Sequence, residues 1–128
     1  MVSKVIHFEI PVDDPARAGR FYRDSFDWTV SKLGPVDYWS LTAGEPLAPG
    51  AEGALTLRSE APSGSIVYIG VDDIDNALAR IAAAGGKQLT DRAPVPGFGW
   101  VAKFQDTEGN TVGLFQEDRS EPQTGEHG

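Results

Sequence analysis

The feature that most constrains the fold is an internal repeat. Residues 10–18 read IPVDDPARA, and residues 69–77, which lie 59 positions later, read IGVDDIDNA. Five of these nine paired positions are identical. In each copy an apolar run leads into two aspartates and then into residues with helical spacing. A repeat of this kind predicts two similar modules that bury a shared core or enclose a shared cavity.

The first copy predicts a strand followed by a helix. Residues 5–12 alternate, with apolar side chains on one face and with His7 and Glu9 on the other. A double aspartate then precedes Pro15, as expected at the start of a helix. Apolar residues recur every three to four positions after that proline and predict a helix of about three turns. We assign its aromatic residues to the core: Phe21, Tyr22 and Phe26.

The remaining runs complete two similar modules. Strand-like residues follow the first helix at 28–30, 38–41 and 54–57. The second copy predicts a strand at 65–71, a helix capped by Asp72 or Asp73 and ended by two glycines, and three more strands at 88–89, 100–105 and 111–116. The order strand, helix, strand, strand, strand thus occurs twice and predicts an α+β fold. We expect one domain over residues 1–117, with modules at about 4–60 and 64–117, and a disordered tail at 118–128.

Composition and charge exclude several functions. The chain of 128 residues carries a net charge of −8 and no run of Lys or Arg, which argues against nucleic acid or an anionic membrane as a partner. It has no cysteine, so disulfides, thiolate metal sites and thiol nucleophiles are excluded. No segment is apolar enough to cross a bilayer, and the first residues do not form a secretory signal, so we expect a cytoplasmic protein.

Three segments carry a resemblance to a known family. They are residues 7–15 (HFEIPVDDP), 21–28 (FYRDSFDW) and 104–110 (FQDTEGN). Together with the repeated element order, they resemble the vicinal oxygen chelate superfamily, which includes glyoxalase I, bleomycin-resistance proteins and extradiol dioxygenases. The likeness spans roughly residues 4–117. It implies two tandem βαβββ modules that form a curved mixed sheet around a cavity.

The resemblance also implies a divalent metal held by two ligands from each module. Carried onto this chain, the ligand position on the first strand is His7, and its counterpart in the second copy is Ile66. If residues 55–57 are matched with 112–114, the other two positions are Thr56 and Gly113, and no His, Asp or Glu lies nearby on either strand. Metal sites that do chemistry normally need about three protein ligands. We therefore expect no cofactor. The alternative is a divalent metal whose ligands are misplaced by this matching of the strands.

His7 and Glu9 are the candidate catalytic pair. Strand neighbours two positions apart point the same way, so an imidazole lies beside a carboxylate and can exchange protons with it. The competing interpretation of His7 is a structural histidine. Residues that could contact a ligand lie on or beside the later strands, although packing in the core explains each aromatic one equally well. These candidates are Trp39, Thr56, Tyr68, Phe98, Trp100 and Phe115.

Two further features have simple structural interpretations. The double aspartates invite a metal-binding interpretation, but carboxylates at helix starts accept backbone N–H bonds, so we interpret both pairs as caps. Residues 93–100 (APVPGFGW) are interpreted either as a lid over a pocket or as a long connection.

The leading functional hypothesis is a metal-free protein that binds a small aromatic or planar molecule, as drug-binding resistance proteins do. One alternative is a metal-dependent lyase or dioxygenase resembling glyoxalase I. A non-catalytic structural or regulatory domain with a vestigial pocket is another. The resemblance also leads us to expect a homodimer.

Overall fold

The computed structural model describes residues 3–42, 52–58 and 64–118. The chain forms two compact units, which we call the first module (Ile6–Val67) and the second module (Met1–Val5 with Tyr68–Gly128). No helix in the described part of the chain is long and apolar enough to cross a membrane.

The described residues of the first module form a helix and four strands of a mixed sheet. Its elements are β1 (Lys4–Val12), α1 (Pro15–Phe26), β2 (Thr29–Lys32), β3 (Tyr38–Thr42) and β4 (Glu52–Leu57). The strands lie in the order β2-β3-β4-β1, with β1 parallel to β4 and the other neighbours antiparallel. The helix begins where Asp14 Oδ1 accepts a hydrogen bond from the backbone N–H of Arg17 at 3.1 Å. Asp27 ends the helix in the left-handed conformation at φ 61°.

The second module repeats this plan. Its elements are β5 (Ile66–Gly70), α2 (Ile74–Ala83), β6 (Lys87–Gln88), β7 (Ala93–Val95), β8 (Gly99–Gln105) and β9 (Thr111–Glu117). Strand β5 is parallel to β9, β9 is antiparallel to β8, and both β6 and β7 pair with β8. Asp73 is the cap of α2, because its Oδ1 accepts from the N–H of Asn76 at 3.2 Å. The interpretation of the aspartates as caps is therefore confirmed at Asp14 and Asp73.

Each module has its own apolar core between its helix and one face of its sheet. In the first module the core centres on Val12, Leu41 and Leu55, with Ala18 and Tyr22 of α1 packed against them. In the second module the core consists of five buried residues with several half-buried neighbours: Ile74, Leu78, Ala102, Phe104 and Leu114. Apolar side chains at alternate strand positions thus face the helix, as the period of two predicts.

The core assignment of two aromatic residues was wrong. Phe21 is 58% exposed and Phe26 is 56% exposed, whereas Tyr22 packs on the core as expected. A helix of 3.6 residues per turn brings only a narrow stripe against a sheet, so the two phenylalanines flank that stripe.

Residues 93–100 are more than a long connection, because they contain β7 and the start of β8, which form a hairpin in which Ala93 pairs with Val101. Their role as a lid stays a prediction. Of the tail expected at 118–128, only Asp118 lies in the described part of the chain, and its backbone is hydrogen-bonded. The N–H of Asp118 donates to the carbonyl of Phe98 at 2.8 Å. Residues 119–128 lie outside the described part of the chain.

Candidate functional site

Strand register divides the first module's sheet into a helix-facing side and a polar face on the opposite side. His7 pairs with Glu52 and Glu9 with Ala54, while Thr56 pairs with Tyr38. Because paired residues share a side of the sheet, all of these side chains belong to the polar face. Strand alternation alone put His7 and Glu9 on one side. The register adds residues from two other strands.

Three side chains form a hydrogen-bonded cluster on the polar face. The hydroxyl of Tyr38 lies 2.9 Å from His7 Nε2, and it also forms a hydrogen bond with the Glu9 side chain. His7 Nε2 lies 3.6 Å from Glu9 Oε2. The side chains of His7 and Glu9 are 27% and 16% exposed to solvent, so the cluster is half-buried yet accessible.

The three groups of the cluster have few hydrogens to share. A carboxylate only accepts hydrogen bonds, and a phenol has a single hydrogen to donate. The single Tyr38 hydrogen is therefore shared between two possible acceptors, Glu9 and His7, and its direction towards His7 depends on which ring nitrogen of His7 carries the proton. Burial of Tyr38 is the main cause of a pKa far above the usual tyrosine range, and the negative charge of Glu9 and the hydrogen bond to it raise that pKa further. Tyr38 thus stays protonated at neutral pH.

The rings of His7 and Tyr38 form a flat surface. Their centroids are 6.5 Å apart and their planes differ by 13°. Since a 2.9 Å hydrogen bond joins an edge atom of one ring to the hydroxyl of the other, the rings lie side by side, not one above the other. A surface of this kind offers stacking area to a planar molecule.

Of the predicted ligand-binding residues, only Thr56 belongs to the polar face of the first module with His7 and Glu9. Trp39 pairs with Leu55 on the helix-facing side and packs on the core, so the structure does not bring it to the cluster. In the second module, Trp100 also packs on the core side. Its ring lies 4.5 Å from the Arg92 guanidinium, and its Nε1–H donates to Asp118 at 3.3 Å.

The other predicted residues of the second module have different surroundings. Tyr68 is 6% exposed and pairs with Gly113, and Phe115 pairs with Gly70 two positions along, so both lie on the side of the sheet away from α2. Phe98 is exposed in the turn between β7 and β8.

The matching of the two last strands was wrong by two residues. Glu9 pairs with Ala54 and its counterpart Tyr68 pairs with Gly113, so the counterpart of Gly113 is Ala54 and not Thr56. The statement that no acid lies nearby on either strand held only for the strand bounds drawn from apolar patterning. Strand β4 begins at Glu52 and β9 ends at Glu117, beyond the bounds that apolar patterning indicated.

The residues present do not fit the divalent metal that the family resemblance implies. Within residues 3–42, 52–58 and 64–118, no three His, Cys, Asp or Glu side chains come together where they could hold a metal ion. In addition, Nε2 of His7 is engaged by Tyr38 and lies beside Glu9. A metal at that nitrogen would have to displace the hydroxyl and would gain few charged ligands in return.

Sequence reasoning missed Tyr38 and Glu52 as members of the polar face. Tyr38 is 31 positions from His7, and nothing local in either segment points to the other. The only available signal was alternation within residues 38–41, which puts Tyr38 and Trp39 on opposite sides but does not say which side faces the helix.

Comparison with known proteins identifies the family. Residues 4–114 match the model of the Glyoxalase/Bleomycin resistance protein/Dioxygenase superfamily, and the chain belongs to this superfamily. A glyoxylase-like domain-containing protein from Didymella fabae is 36% identical over 119 residues, which cover 85% of this chain and 90% of that protein.

Solved structures share the fold. A hypothetical protein from Bacillus halodurans, BH1468, superposes with a TM-score of 0.69 at 15% identity, covering 92% of this chain and 96% of that one. A methylmalonyl-CoA epimerase from Mycobacterium tuberculosis gives a TM-score of 0.64 at 14% identity, covering 91% and 89%. The predicted α+β fold of this superfamily is thereby confirmed.

Proposed function

We propose that this protein binds a small planar molecule on the polar face of its first module, without a divalent metal. The observation that carries the proposal is the cluster of His7, Tyr38 and Glu9, in which two nearly coplanar rings are linked by a 2.9 Å hydrogen bond. The rings supply apolar area, while the hydroxyl, imidazole and carboxylate supply the few polar contacts that orient a ligand.

The donor set supports the metal-free part of this proposal. A single imidazole that is already hydrogen-bonded to a phenol, beside one carboxylate, is a weak ligand set for a divalent ion. The cluster also has the parts of a proton-transfer site, because the hydroxyl bridges a carboxylate and an imidazole. Acid–base chemistry by His7 and Glu9 is therefore the second candidate function.

A binding experiment tests the proposal. A panel of planar aromatic compounds is titrated into the protein while the imidazole resonances of His7 are followed by NMR. His127 is the only other histidine, so His7→Gln assigns the signals. We expect a saturable shift of the His7 resonances, and Tyr38→Phe should weaken binding because the linking hydroxyl is lost. Tyr22→Phe is the matched control, since Tyr22 packs on the helix-facing core.

Metal analysis separates the alternatives. Protein purified without chelator should contain no stoichiometric divalent ion, and chelator treatment should leave ligand affinity unchanged. A stoichiometric ion whose removal abolishes binding would favour the metal-dependent lyase or dioxygenase. No response to any compound would favour the vestigial pocket. The pairing of two chains expected from the resemblance belongs to the same proposal, and light scattering at micromolar concentration tests it.

A further inference from the structure

The charged groups of the polar face are unevenly distributed. Glu9 and Glu52 both belong to it. His7 pairs directly with Glu52 and lies two positions before Glu9 on β1. Strands β3 and β4 contain no Lys or Arg, and neither do residues 6–12 of β1.

The basic residues of the first module's elements are directed elsewhere. Lys4 begins β1, and strand alternation places it on the side opposite His7 and Glu9. Lys32 pairs with Trp39, and its Nζ lies 5.8 Å from that indole ring, which is on the helix-facing side. Arg58 bonds to Asp13 with its Nε 3.0 Å from the carboxylate oxygen. The remaining three are on α1, which packs against the opposite side of the sheet: Arg17, Arg20 and Arg23.

The hydrogen bonds within the cluster strengthen this asymmetry. The Tyr38 hydroxyl lies between His7 and Glu9, so its one hydrogen is engaged within the cluster and is not offered to an incoming molecule. The half-buried carboxylate of Glu9 adds negative charge in a medium where charges are poorly screened. The polar face is thus rich in acceptors and negative charge.

Resting on the proposed function, we propose that the ligand of this face carries a cationic or hydrogen-bond-donating group, and that the face discriminates against carboxylates and phosphates. An amidinium or ammonium group gains the attraction of Glu9 and Glu52. A carboxylate is repelled by both and finds no basic partner among residues 6–12 of β1 or on β3 and β4.

Three probes of the same shape test the charge preference. Benzamidinium, benzamide and benzoate share one planar ring and differ by one unit of charge at each step. Each is titrated at low ionic strength, with the His7 imidazole resonances as the readout. We expect benzamidinium to bind at least about tenfold more tightly than benzoate, with benzamide between them, and the ratio to fall as salt is added.

Variants show whether the acidic residues cause the preference. Glu9→Gln should reduce the ratio to about threefold or less, since it removes the nearer charge. Glu52→Gln should reduce it by a smaller factor, and it serves as the second test if Glu9→Gln fails to fold. Glu108→Gln is the control, because Glu108 is exposed in the turn between β8 and β9. It should leave the ratio unchanged.

Two failures are distinguishable. If benzoate binds as tightly as benzamidinium, or more tightly, the charge preference is refuted while the binding site stands. If none of the three probes, nor any of the planar panel, shifts the His7 resonances, the binding site and the preference are both refuted.

Discussion

The two modules share a framework and differ in what they place on it. Strand β1 pairs with β4, and β5 with β9, at the same offset, so that Ile10 faces Leu55 in one module and Ile69 faces Leu114 in the other. Both helices begin at an aspartate cap. The 59-residue shift found in the sequence therefore holds in the strand pairs as well as at the helix starts.

The faces away from the helices are unlike. The shift matches His7 with Ile66 and Glu9 with Tyr68. Register extends the match to Tyr38, which pairs with Thr56. The counterpart of Thr56 in the second module is Phe115, which pairs with Val101. Val101 is therefore the counterpart of Tyr38. Each member of the polar cluster thus has an apolar or aromatic counterpart in the second module.

The repeat thus preserves the positions that stabilise the fold, whereas the residues on the face away from each helix differ between the two modules. Core residues meet a helix and must fill space, whereas residues on the other face are constrained only by what they contact there.

The largest effect is expected at the paired core leucines. Leu55 is fully buried and Leu114 is 2% exposed, so Leu55→Ala and Leu114→Ala should each lower the free energy of unfolding by about 2–5 kcal/mol. Urea denaturation followed by circular dichroism measures the loss. Leu33→Ala, at an exposed site, is the control and should cost little. A loss below about 1 kcal/mol at one leucine would break the equivalence of the two cores.

The next effect concerns a glycine in each module that lies against an aromatic ring. A Cβ on Gly53 would overlap the ring of Phe8, and one on Gly113 would overlap the ring of Tyr68. Gly53→Ala and Gly113→Ala should each cost about 1–3 kcal/mol, because the rings must move in a packed interior. Adding Phe8→Leu to the first variant should recover part of the loss.

A third glycine provides a control of opposite sign. Gly19 lies inside α1, and a Cβ there would meet Val30 at an ordinary 3.7 Å. Gly19→Ala should therefore be neutral, or stabilise by up to about 1 kcal/mol through helix propensity. A large loss at Gly19, or none at Gly53 and Gly113, would contradict this account of the packing.

The helix caps should give smaller and equal effects. Asp14→Ala and Asp73→Ala each remove the acceptor of one N–H at a helix start, at an expected cost of about 1 kcal/mol. Asp72→Ala is the matched control, because the neighbouring Asp73 makes the cap. Thermal unfolding compares the three variants, and equal losses at Asp72 and Asp73 would show that charge near the helix, not capping, is responsible.

The smallest expected signal is the titration of Tyr38, which belongs to the polar face of the first module and has an apolar counterpart in the second. Since burial and Glu9 raise its pKa in the folded state, Tyr38 contributes stability below the unfolded tyrosine pKa of about 10, and that contribution is lost as pH rises above it. The ultraviolet absorbance of tyrosinate should rise equally in the parent protein and in Tyr38→Phe up to about pH 11. An earlier rise in the parent protein would mean that Tyr38 ionises readily, contrary to its place in the cluster.

Much of the fold could be predicted from local patterns. Alternation located β1 and β5, and the aspartates located both helix starts, because these signals depend on residues within a few positions of one another. Strand β7 was missed because two prolines interrupt its segment. Its pairing with β8 in a hairpin is not indicated by the residue types there. The exposure of Phe21 and Phe26 was missed because spacing shows which side of a helix is apolar, but not how wide a strip of it the sheet covers.

The candidate site could be predicted only in part. His7 and Glu9 were found because they are strand neighbours on one side. The sequence by itself determined the repeat, the element order apart from β7, the caps and the family, because each of these depends on residues within a short segment. Tertiary structure alone decided that Tyr38 joins His7 and that the tryptophans face the helices. Strand register brings together residues far apart in the chain, and a shift of a single position would have reversed every side chain.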